Sequence, residues 1–571
     1  MAKRAARRRI SGDFILGSEQ AENDPLLETA FYENAISTSI ESRINPHCFV
    51  IGRTGSGKSA MLRHLEDTQA DHVIRITPQD LSLPYILDLD IIKHLSALDV
   101  HLDAFFTALW KHVIIVEVIR HRYHVDSPAA KQNFFERIVR RVSTNPSKHQ
   151  ALEYLSEFGS SFWCETDQRV REVVEKFERE LRLGTSAGVT VPQIPVAGTM
   201  EAGLRTSKSG EIRSEEADRY QRIVNRTQLA RLNKMIRVLD EDILDSDQLF
   251  TYVLIDDLDR DWVNERLAND LIRCLFGAVL DLQSTRRLKI VVALRTNIFE
   301  YLDFGSRTGG QEEKFRALTL QVTWTRDELV ELADERARAA GRLWNVPDIS
   351  GINDLLPLTS SRRRQAPLQY MLDRTLLRPR DLIAFVNEGI QHSAGARLTW
   401  KKLYETEPIY SRKRLLALRD EWKATLPGID RVFACFQKVS LPMNRAGLTK
   451  VLDEVALLPA TADFRGVRWM TEFTAALWGS VTASWAEQYQ PLIRLLYEIG
   501  FVGIIPAGER EAVYAYSQPE YAVLAASVEG ADGFMVHRAF RPALDIGLPP
   551  GSTRPLVSED EGNEAPEGAV T

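Results

Sequence analysis

One stretch of eight residues constrains this chain more than any other. Its spacing is G-x-x-x-x-G-K-S, and its members are Gly52, Arg53, Thr54, Gly55, Ser56, Gly57, Lys58 and Ser59. Glycines let backbone N–H groups turn inward around an anion, because no Cβ stands in the way. In such loops the lysine reaches the β- and γ-phosphates, and the serine hydroxyl ligates Mg²⁺. The stretch therefore predicts a cradle for a triphosphate and its metal.

The flanks of this stretch agree with that interpretation. Residues 48–51 are a short apolar run, as expected of a buried strand, and residues 60–65 continue with helical spacing. The motif requires a strand, a loop and a helix in this order. The helix would place the positive end of its dipole beneath the anion. The alternative is a glycine-rich turn that happens to precede a helix.

A second motif is acidic. Residues 251–255 form a continuous apolar run, typical of a buried parallel strand, and Asp256 and Asp257 follow it directly. Ligands of such sheets bind at the carboxyl ends of the strands. We therefore expect Asp256 to hold Mg²⁺, directly or through water, and Asp257 to polarise the attacking water. The alternative is that these acids cap the next helix or lie in solvent.

A third apolar run, residues 289–297, also ends in polar side chains. In ATPases with the two motifs above, the strand beside the acidic strand carries a polar group that senses the γ-phosphate. Arg295 and Asn297 are the candidates for that role. Arg295 could instead form an ion pair with one of the neighbouring aspartates. A second core strand is expected at residues 72–76, and a fifth at residues 318–324.

Length and composition set the outer limits. The chain has 571 residues, which is too long for one ordinary core, so three or more domains are expected. Its 44% apolar and 26% charged residues are typical of a soluble globular protein. The sequence contains no apolar run of about eighteen residues, so no membrane-spanning helix and no membrane partner are predicted. The basic residues 3–9 are not followed by an apolar core and do not resemble a secretory signal.

Cysteine usage and charge narrow the class further. The cysteines Cys48, Cys164, Cys274 and Cys435 are far apart and form no CxxC pair, which favours reduced thiols and a cytoplasmic location. The net charge of −7 argues against a protein that coats nucleic acid with its whole surface. Local basic clusters occur at residues 3–9, 362–364 and 412–414, and we interpret each as a solvated face or tail.

The predicted organisation places the nucleotide motifs in two separate parts of the chain. Its segments are a basic flexible arm (1–12), the first part of a P-loop ATPase core (13–83), a helical insertion with a glycine-rich loop (84–245), the second part of the core (246–330), a helical lid (331–396), a winged-helix-like regulatory domain (397–545) and an acidic disordered tail (546–571). Within the insertion, helical patterns occur at residues 104–110, 133–139, 170–178 and 214–239. The glycine-rich loop at 184–210 is expected to be an exposed loop, or else a surface for a partner or a pore.

The region after the core carries two further predictions. Thr325 and Glu328 have the spacing of a capping box, so a helix is expected to begin there. Arg378 and Arg380 lie at the start of a lid helix, from which an arginine can reach back to a γ-phosphate. The alternative for this pair is a set of ordinary surface salt bridges.

The last domain shows the pattern of a winged helix. A helix at residues 491–499, ended by Gly500, precedes strands at 501–505 and 512–516 with a turn between them. The helix that would read DNA offers Arg494 as its only cation, whereas phosphate contacts need several. A packing or regulatory wing is therefore favoured over a DNA reader.

This series of motifs resembles the additional-strand P-loop ATPases, which include the AAA+, STAND and KAP families. The acidic motif Asp256-Asp257-Leu258-Asp259-Arg260 and the long insertion before it are similar to those of KAP ATPases, although no membrane helices occur in this insertion. The resemblance covers residues 45–80 and 250–395, and residues 378–380 depart from the usual STAND lid motif. It implies an α/β fold, namely a parallel-sheet P-loop ATPase core with a helical insertion, a helical lid and a winged-helix-like domain.

The resemblance also implies a function. Such proteins are switches that bind and hydrolyse ATP with Mg²⁺, and many assemble as homo-oligomers in which a neighbour supplies an arginine. Lys314 and Arg316 precede the fifth strand, where such fingers lie. A bacterial antiviral-defence ATPase that controls a partner effector is the first expectation, by analogy. The alternatives are a DNA-engaging ATPase, such as a loader or a nuclease-associated motor, and a scaffold that binds nucleotide without turnover.

Overall fold

The computed structural model describes most of the chain outside the central insertion and the termini. The described residues are 13–77, 90–98, 100–123, 221, 229–258, 265–302, 312–346, 349–358, 365–393, 397–461, 464, 467–479 and 484–547. The chain divides into two compact units. We call residues 33–53 and 61–322 the sheet unit, and residues 1–32, 54–60 and 323–571 the helical unit.

The sheet unit is built on parallel strands in the order β2–β3–β4–β1–β5. Their bounds are β1 Phe49–Gly52, β2 Val73–Ile76, β3 Thr251–Ile255, β4 Leu288–Arg295 and β5 Thr319–Gln321. Every residue of β1 and β3 is buried, which explains why both strands are apolar throughout rather than alternating. All five strands were predicted from the sequence, with ends that differ by at most three residues.

The helices of the sheet unit include two long ones that pack on each other. The bounds are α1 Ala35–Glu41, α2 Lys58–Thr68, α3 Asp90–Ala97, α4 Asp103–Tyr123, α5 Leu229–Val238, α6 Glu265–Leu282, α7 Thr296–Tyr301 and α8 Glu312–Ala317. The indole N–H of Trp110 in α4 donates to the carbonyl of Leu271 in α6 at 2.9 Å. The fully buried Lys111 forms an ion pair with Asp281 at 2.6 Å. These contacts tie the start of the insertion to the helix that follows the acidic strand.

The helical unit contains a series of helices and a short antiparallel sheet. The helices are α9 Arg326–Leu343, α10 Pro367–Leu372, α11 Pro379–His392, α12 Trp400–Trp422, α13 Ile429–Ala434, α14 Arg445–Leu457, α15 Arg468–Gly479, α16 Trp485–Glu498 and α17 Ala525–Glu529, and the strands are β6 Val502–Ile505 and β7 Gly533–Val536. Helix α9 begins with the predicted capping box, because the Thr325 hydroxyl accepts from the N–H of Glu328, and the Glu328 carboxylate accepts from the N–H of Thr325. Helices α11 and α12 stack Phe385 on Tyr410 with ring centroids 4.1 Å apart.

The final region differs from its predicted pattern in one strand. Gly500 ends α16 with a φ of +77°, as predicted. However, residues 512–516 do not form a strand: Val513 makes an isolated bridge to Ile504, and the regular partner of β6 is β7. The ring of Tyr514 packs over Gly503, where a Cβ would lie 2.5 Å from it, and the carbonyl of Tyr514 accepts turn hydrogen bonds. The winged-helix interpretation stays a prediction.

Several other predictions lie outside the described residues. These are the basic arm (1–12), the helices at 133–139 and 170–178, the loop at 184–210, the basic cluster at 362–364 and the tail from residue 548 onward. Among the helices that the structure does describe, none has both the length and the apolar character needed to cross a membrane.

Candidate functional site

The glycine-rich segment forms the connection between strand β1 and helix α2 that its spacing predicts. Strand β1 ends at Gly52 and helix α2 begins at Lys58. Two glycines of the loop have left-handed backbones, with φ of +79° at Gly55 and +100° at Gly57. Side chains rarely adopt this conformation, so both positions require glycine for the turn itself.

Residues of the helical unit hold the loop by its backbone, and sequence reasoning did not anticipate this. The N–H of Thr54 donates to a Glu421 carboxylate oxygen at 3.1 Å, and the carbonyl of Thr54 accepts from the Arg378 guanidinium at 2.9 Å. The carbonyl of Ser56 accepts from the indole N–H of Trp324 at 2.7 Å. Loop residues 54–60 accordingly belong to the same compact unit as residues 323 onward.

Arg380 lies so close to the loop that position 55 has no room for a side chain. Its backbone N–H lies 3.4 Å from the carbonyl of Gly55. A Cβ built on Gly55 would lie 2.8 Å from the Arg380 Cβ and 2.9 Å from its Cδ. The guanidinium Nε of Arg380 donates to the carbonyl of Glu19 at 2.9 Å. Gly55 is therefore required by the neighbouring arginine as well as by the turn.

Arg378 is the centre of a buried network of charges. Its guanidinium donates to Asp381 at 3.1 Å and to Glu421 at 3.0 Å. Asp381 also accepts from Arg414 at 3.3 Å, and Arg414 bonds Glu19 at 2.7 Å. Burial by itself would lower the pKa of the Arg378 guanidinium, but the two carboxylates outweigh it and raise that pKa. Burial would likewise raise the pKa of Asp381, but Arg378 and Arg414 hold it well below its ordinary value.

The network corrects one interpretation made from the sequence. We expected residues 412–414 to be a solvated basic face, but Arg414 is buried. Its position on helix α12 places it beside Asp381 on helix α11, and a buried cation requires such a partner. Lys413 is more exposed and pairs with Glu388.

The loop contains two buried hydroxyl groups, those of Thr54 and Ser56. Among the described residues, no hydrogen-bond partner reaches Thr54 Oγ1 or Ser56 Oγ, and both atoms are buried. Lys58 is 8% exposed and Ser59 is half-buried at the first turn of α2. Buried hydroxyl groups normally have partners. The loop therefore fits a polar ligand such as a phosphate group, with Lys58 and Ser59 at the helix start.

In the sheet unit, Asp256 and Asp257 follow the last residue of β3, as predicted. Asp256 is 4% exposed, and its Oδ1 accepts from the N–H of Asp257 at 2.9 Å. Its Oδ2 lies 3.7 Å from an Arg75 guanidinium nitrogen, and within the described part of the chain no donor is in hydrogen-bond geometry with it. Asp257 has a φ of +58°, which aspartate tolerates better than most residues. A buried carboxylate oxygen with an incomplete shell fits a bound cation.

The sheet register relates the ends of the strands. In β4, Val292 is level with Ile255 of β3, and Arg295 is level with Gly52 of β1. The ends of β1 and β3 therefore lie at the same edge of one sheet, with β4 between them. Two strand spacings separate them sideways, about 10 Å.

The two candidates for γ-phosphate sensing fall in different elements. Arg295 is the last residue of β4, whereas Asn297 is buried in the first turn of helix α7. The predicted strand over residues 289–297 is therefore too long, because the chain turns into a helix directly after Arg295. Lys314 and Arg316, the candidate finger residues, have exposed side chains on helix α8.

Sequence reasoning missed Arg75, Trp324 and Glu421 as neighbours of these motifs. Arg75 lies within the strand predicted at residues 72–76, but only the pairing of β2 with β3 shows that it is a neighbour of Asp256. Glu421 is 367 residues from Thr54 in the chain, on the last turn of a helix. No local pattern could have identified it, because the contact depends entirely on tertiary packing.

Comparison with known proteins identifies part of the helical unit. Residues 327–419 match the sequence model of a family described as a FunZ-associated C-terminal helical domain. The match covers helices α10 and α11 and most of α9 and α12, and it includes Arg378, Arg380 and Asp381. No curated protein matches the chain. No solved structure matches it either.

Proposed function

We propose that this chain is a P-loop ATPase that binds and hydrolyses ATP with Mg²⁺ and acts as a molecular switch. The observation that carries the proposal is the parallel sheet: the strand before the glycine-rich loop and the strand before Asp256 end at one edge, with a further strand between them. This order agrees with the defining feature of the additional-strand group. A parallel sheet places its ligands at that edge.

The residues of the chain have distinct roles under this proposal. The loop from Gly52 to Ser59 cradles the phosphates with N–H groups other than that of Thr54, which is bonded to Glu421, and Lys58 neutralises the phosphate charge. Ser59 is an oxygen donor at the start of α2, and Asp256 is an oxygen donor at the end of β3; both are the kind of hard donor that Mg²⁺ prefers. Bound Mg²⁺ supplies electrostatic stabilisation of the charge that develops on the transferred phosphoryl group. Asp257 orients the attacking water.

Arg295, Asn297, Arg378 and Arg380 are proposed to report the presence of the γ-phosphate. Arg295 and Asn297 belong to the sheet unit, at the end of β4 and the start of α7. Arg378 and Arg380 belong to the helical unit, where the Arg378 guanidinium is bonded to Asp381, Glu421 and the Thr54 carbonyl. These bonds use the Nε–H and one terminal nitrogen of the guanidinium, so direct contact with a phosphate would fall to its other terminal nitrogen. A role through the loop backbone uses only the bond to the Thr54 carbonyl.

The first experiment measures nucleotide binding and turnover. We expect the wild-type protein to bind ATP with Mg²⁺ and release phosphate, and Lys58→Ala to weaken binding at least 100-fold, about 2.7 kcal/mol or more. Lys423→Ala is a matched control, because this lysine is exposed and pairs with Asp420 on the surface. Retained tight binding in Lys58→Ala would contradict the site. Binding without turnover, unchanged in Asp257→Asn, would instead indicate the scaffold alternative.

The proposed switch is tested by measuring whether the mass of the protein in solution depends on nucleotide. We expect size-exclusion chromatography with light scattering to show a larger mass with ATP and Mg²⁺ than without nucleotide. The double variant Lys314→Ala, Arg316→Ala should bind ATP but lose turnover if these exposed side chains act in trans. An unchanged mass under all nucleotide conditions would remove the oligomer from the proposal.

The biological pathway is proposed by analogy with bacterial ATPases of similar build, which are frequent in antiviral defence. We propose cytoplasmic action on a partner effector. Expression of the wild-type chain in its native genetic context should restrict phage, and Lys58→Ala should abolish restriction at equal protein level. ATPase stimulation by DNA would favour the DNA-engaging alternative, for which Arg494 offers little because it pairs with Glu498.

A further inference from the structure

We propose that Glu421 and Arg378 form a clamp that holds both backbone groups of Thr54, positions the phosphate loop for nucleotide, and thereby couples nucleotide binding to helix α12. The inference rests on the proposed function and adds a positioning device to it. In the clamp both residues act on the loop backbone and not on the reacting atoms. Glu421 lies outside every motif and outside the family match, which ends at residue 419.

Glu421 and Arg378 bond the two backbone polar groups of one loop residue. One Glu421 oxygen accepts the N–H of Thr54 at 3.1 Å, and its other oxygen accepts from Arg378 at 3.0 Å. Arg378 also donates to the Thr54 carbonyl at 2.9 Å. Thr54 is thus bonded at both of its backbone polar groups by two side chains that also bond each other. Such a closed ring restrains the residue in rotation as well as in position.

The glycines of the loop make its conformational entropy important for binding. Gly55 and Gly57 follow Thr54, and glycine loses more backbone freedom on ordering than any other residue. A loop of this composition would sample many conformations if nothing held it. The clamp at Thr54 and the indole of Trp324 at Ser56 restrain the loop before a ligand arrives. Pre-organisation of this kind increases affinity because the ordering cost is met in the free protein.

The clamp places a carboxylate beside the loop together with a guanidinium that balances its charge. A carboxylate beside an anion-binding loop would ordinarily repel phosphate. Glu421 and Arg378 are each 7% exposed and pair with one another, so their charges compensate locally. Arg378 has a second partner in Asp381, which itself is shared with Arg414. Glu421 can therefore hold the loop without an uncompensated negative charge at the ligand.

Coupling between nucleotide binding and helix α12 follows from the reciprocity of binding free energies. If contacts from α12 favour the binding conformation of the loop, ligand bound to the loop must equally favour those contacts. Nucleotide should therefore protect the last turns of α12 from amide exchange, although they hold no nucleotide motif. Such protection is a readout that a merely structural role of Glu421 would not produce.

The experiment compares Glu421→Ala with Asp420→Ala by hydrogen–deuterium exchange and nucleotide titration of the full chain. Asp420 is the adjacent residue on the same helix, and its carboxylate is exposed and bonded to Arg419 and Lys423. Both variants lose one negative charge. Arg378 keeps Asp381 in Glu421→Ala, so its guanidinium is not left without a carboxylate.

Three results are expected. Without nucleotide, exchange in a peptide covering residues 52–58 should be at least tenfold faster in Glu421→Ala than in wild type. Affinity for ATP with Mg²⁺ should fall tenfold or more. At saturating ATP, protection of residues 415–424 should appear in wild type and Asp420→Ala and be absent in Glu421→Ala.

Glu421→Gln, which keeps an acceptor for the Thr54 N–H, should recover part of the loop protection. This variant also serves as the test if the alanine variant folds poorly.

The clamp and the proposed function can fail separately. If wild-type protein binds no nucleotide, the proposed function fails, while exchange in the nucleotide-free loop still tests the clamp. If wild type binds ATP but Glu421→Ala shows the same affinity and the same loop exchange, the clamp is overturned. Tighter binding in Glu421→Ala would also overturn it, because Glu421 would then restrain the loop away from its binding conformation.

Discussion

The glycine-rich loop and the acidic segment after β3 are built in opposite ways. Side chains from distant parts of the sequence bond the loop backbone, and their charges are balanced by one another. The acidic segment has a buried carboxylate whose Oδ2 has only a long ion pair to Arg75 among the described residues. The difference teaches that the protein supplies the shape of the loop from its own groups, whereas one oxygen of Asp256 lacks a hydrogen-bond donor among the described residues, as the proposed cation site requires.

The charge network that holds the loop can be tested by substitution of the buried Asp381. Asp381 accepts from Arg378, Arg414 and the N–H of Leu376. Asp381→Asn should lower the free energy of unfolding by about 3–5 kcal/mol, because two buried guanidinium groups lose their shared carboxylate. Urea unfolding of the purified chain measures this. Asp420→Asn on the exposed surface should cost no more than about 1 kcal/mol, and equal losses in both variants would contradict the role of burial.

The close approach of Arg380 to the loop gives the next largest effect. Gly55→Ala should destabilise by about 2–4 kcal/mol, because it combines a positive φ with a Cβ placed 2.8 Å from the Arg380 Cβ. Gly508→Ala is matched to it in backbone, with a φ of +78°, but has nothing within 4 Å of its Cβ. It should cost only about 1–2 kcal/mol. Similar values for the two glycines, by urea unfolding, would mean that the loop does not pack against Arg380 as the structure shows.

The Asp381 network also predicts a pH dependence. Arg378 and Arg414 hold the pKa of Asp381 well below its ordinary value, so its contribution is fully present above the unfolded pKa of about 3.9 and is lost as pH falls below it. The stability difference between wild type and Asp381→Asn should shrink by about 1 kcal/mol for each pH unit below about 4. Urea unfolding between pH 6 and pH 3 measures the trend, and a constant difference would show that the carboxylate is not stabilised by these arginines.

Substitution in the acidic segment should change the free energy of unfolding least and the metal dependence of ATP binding most. Asp256→Asn should change the free energy of unfolding by less than about 1 kcal/mol, because it removes a buried charge with an incomplete shell and Arg75 retains Glu66 at 3.2 Å. Titration with ATP should show about tenfold weaker binding in the presence of Mg²⁺ and unchanged binding in EDTA. A loss as large as that of Asp381→Asn would show that Asp256 serves the fold rather than a cation.

The strands and the order of the motifs could be predicted because they depend on local chemistry. Buried parallel strands must be apolar along their length, and a turn with positive φ must contain glycine, so residues 49–52, 251–255 and 52–59 were recognisable. The capping box at Thr325 was equally local. The predictions that failed, namely a strand at 512–516 and a solvated Arg414, concerned residues whose environment comes from elsewhere in the chain.

The sequence by itself determined that a strand, a glycine-rich turn and a helix follow one another at residues 49–68, and that an acidic pair ends a buried strand. Only the tertiary structure decided that Glu421, Arg378 and Trp324 hold the loop and that Arg75 is the neighbour of Asp256. The physical reason is the distance along the chain over which each kind of interaction acts. Backbone conformation and apolar periodicity act over a few residues, whereas buried charges find their partners through packing, across hundreds of residues of chain.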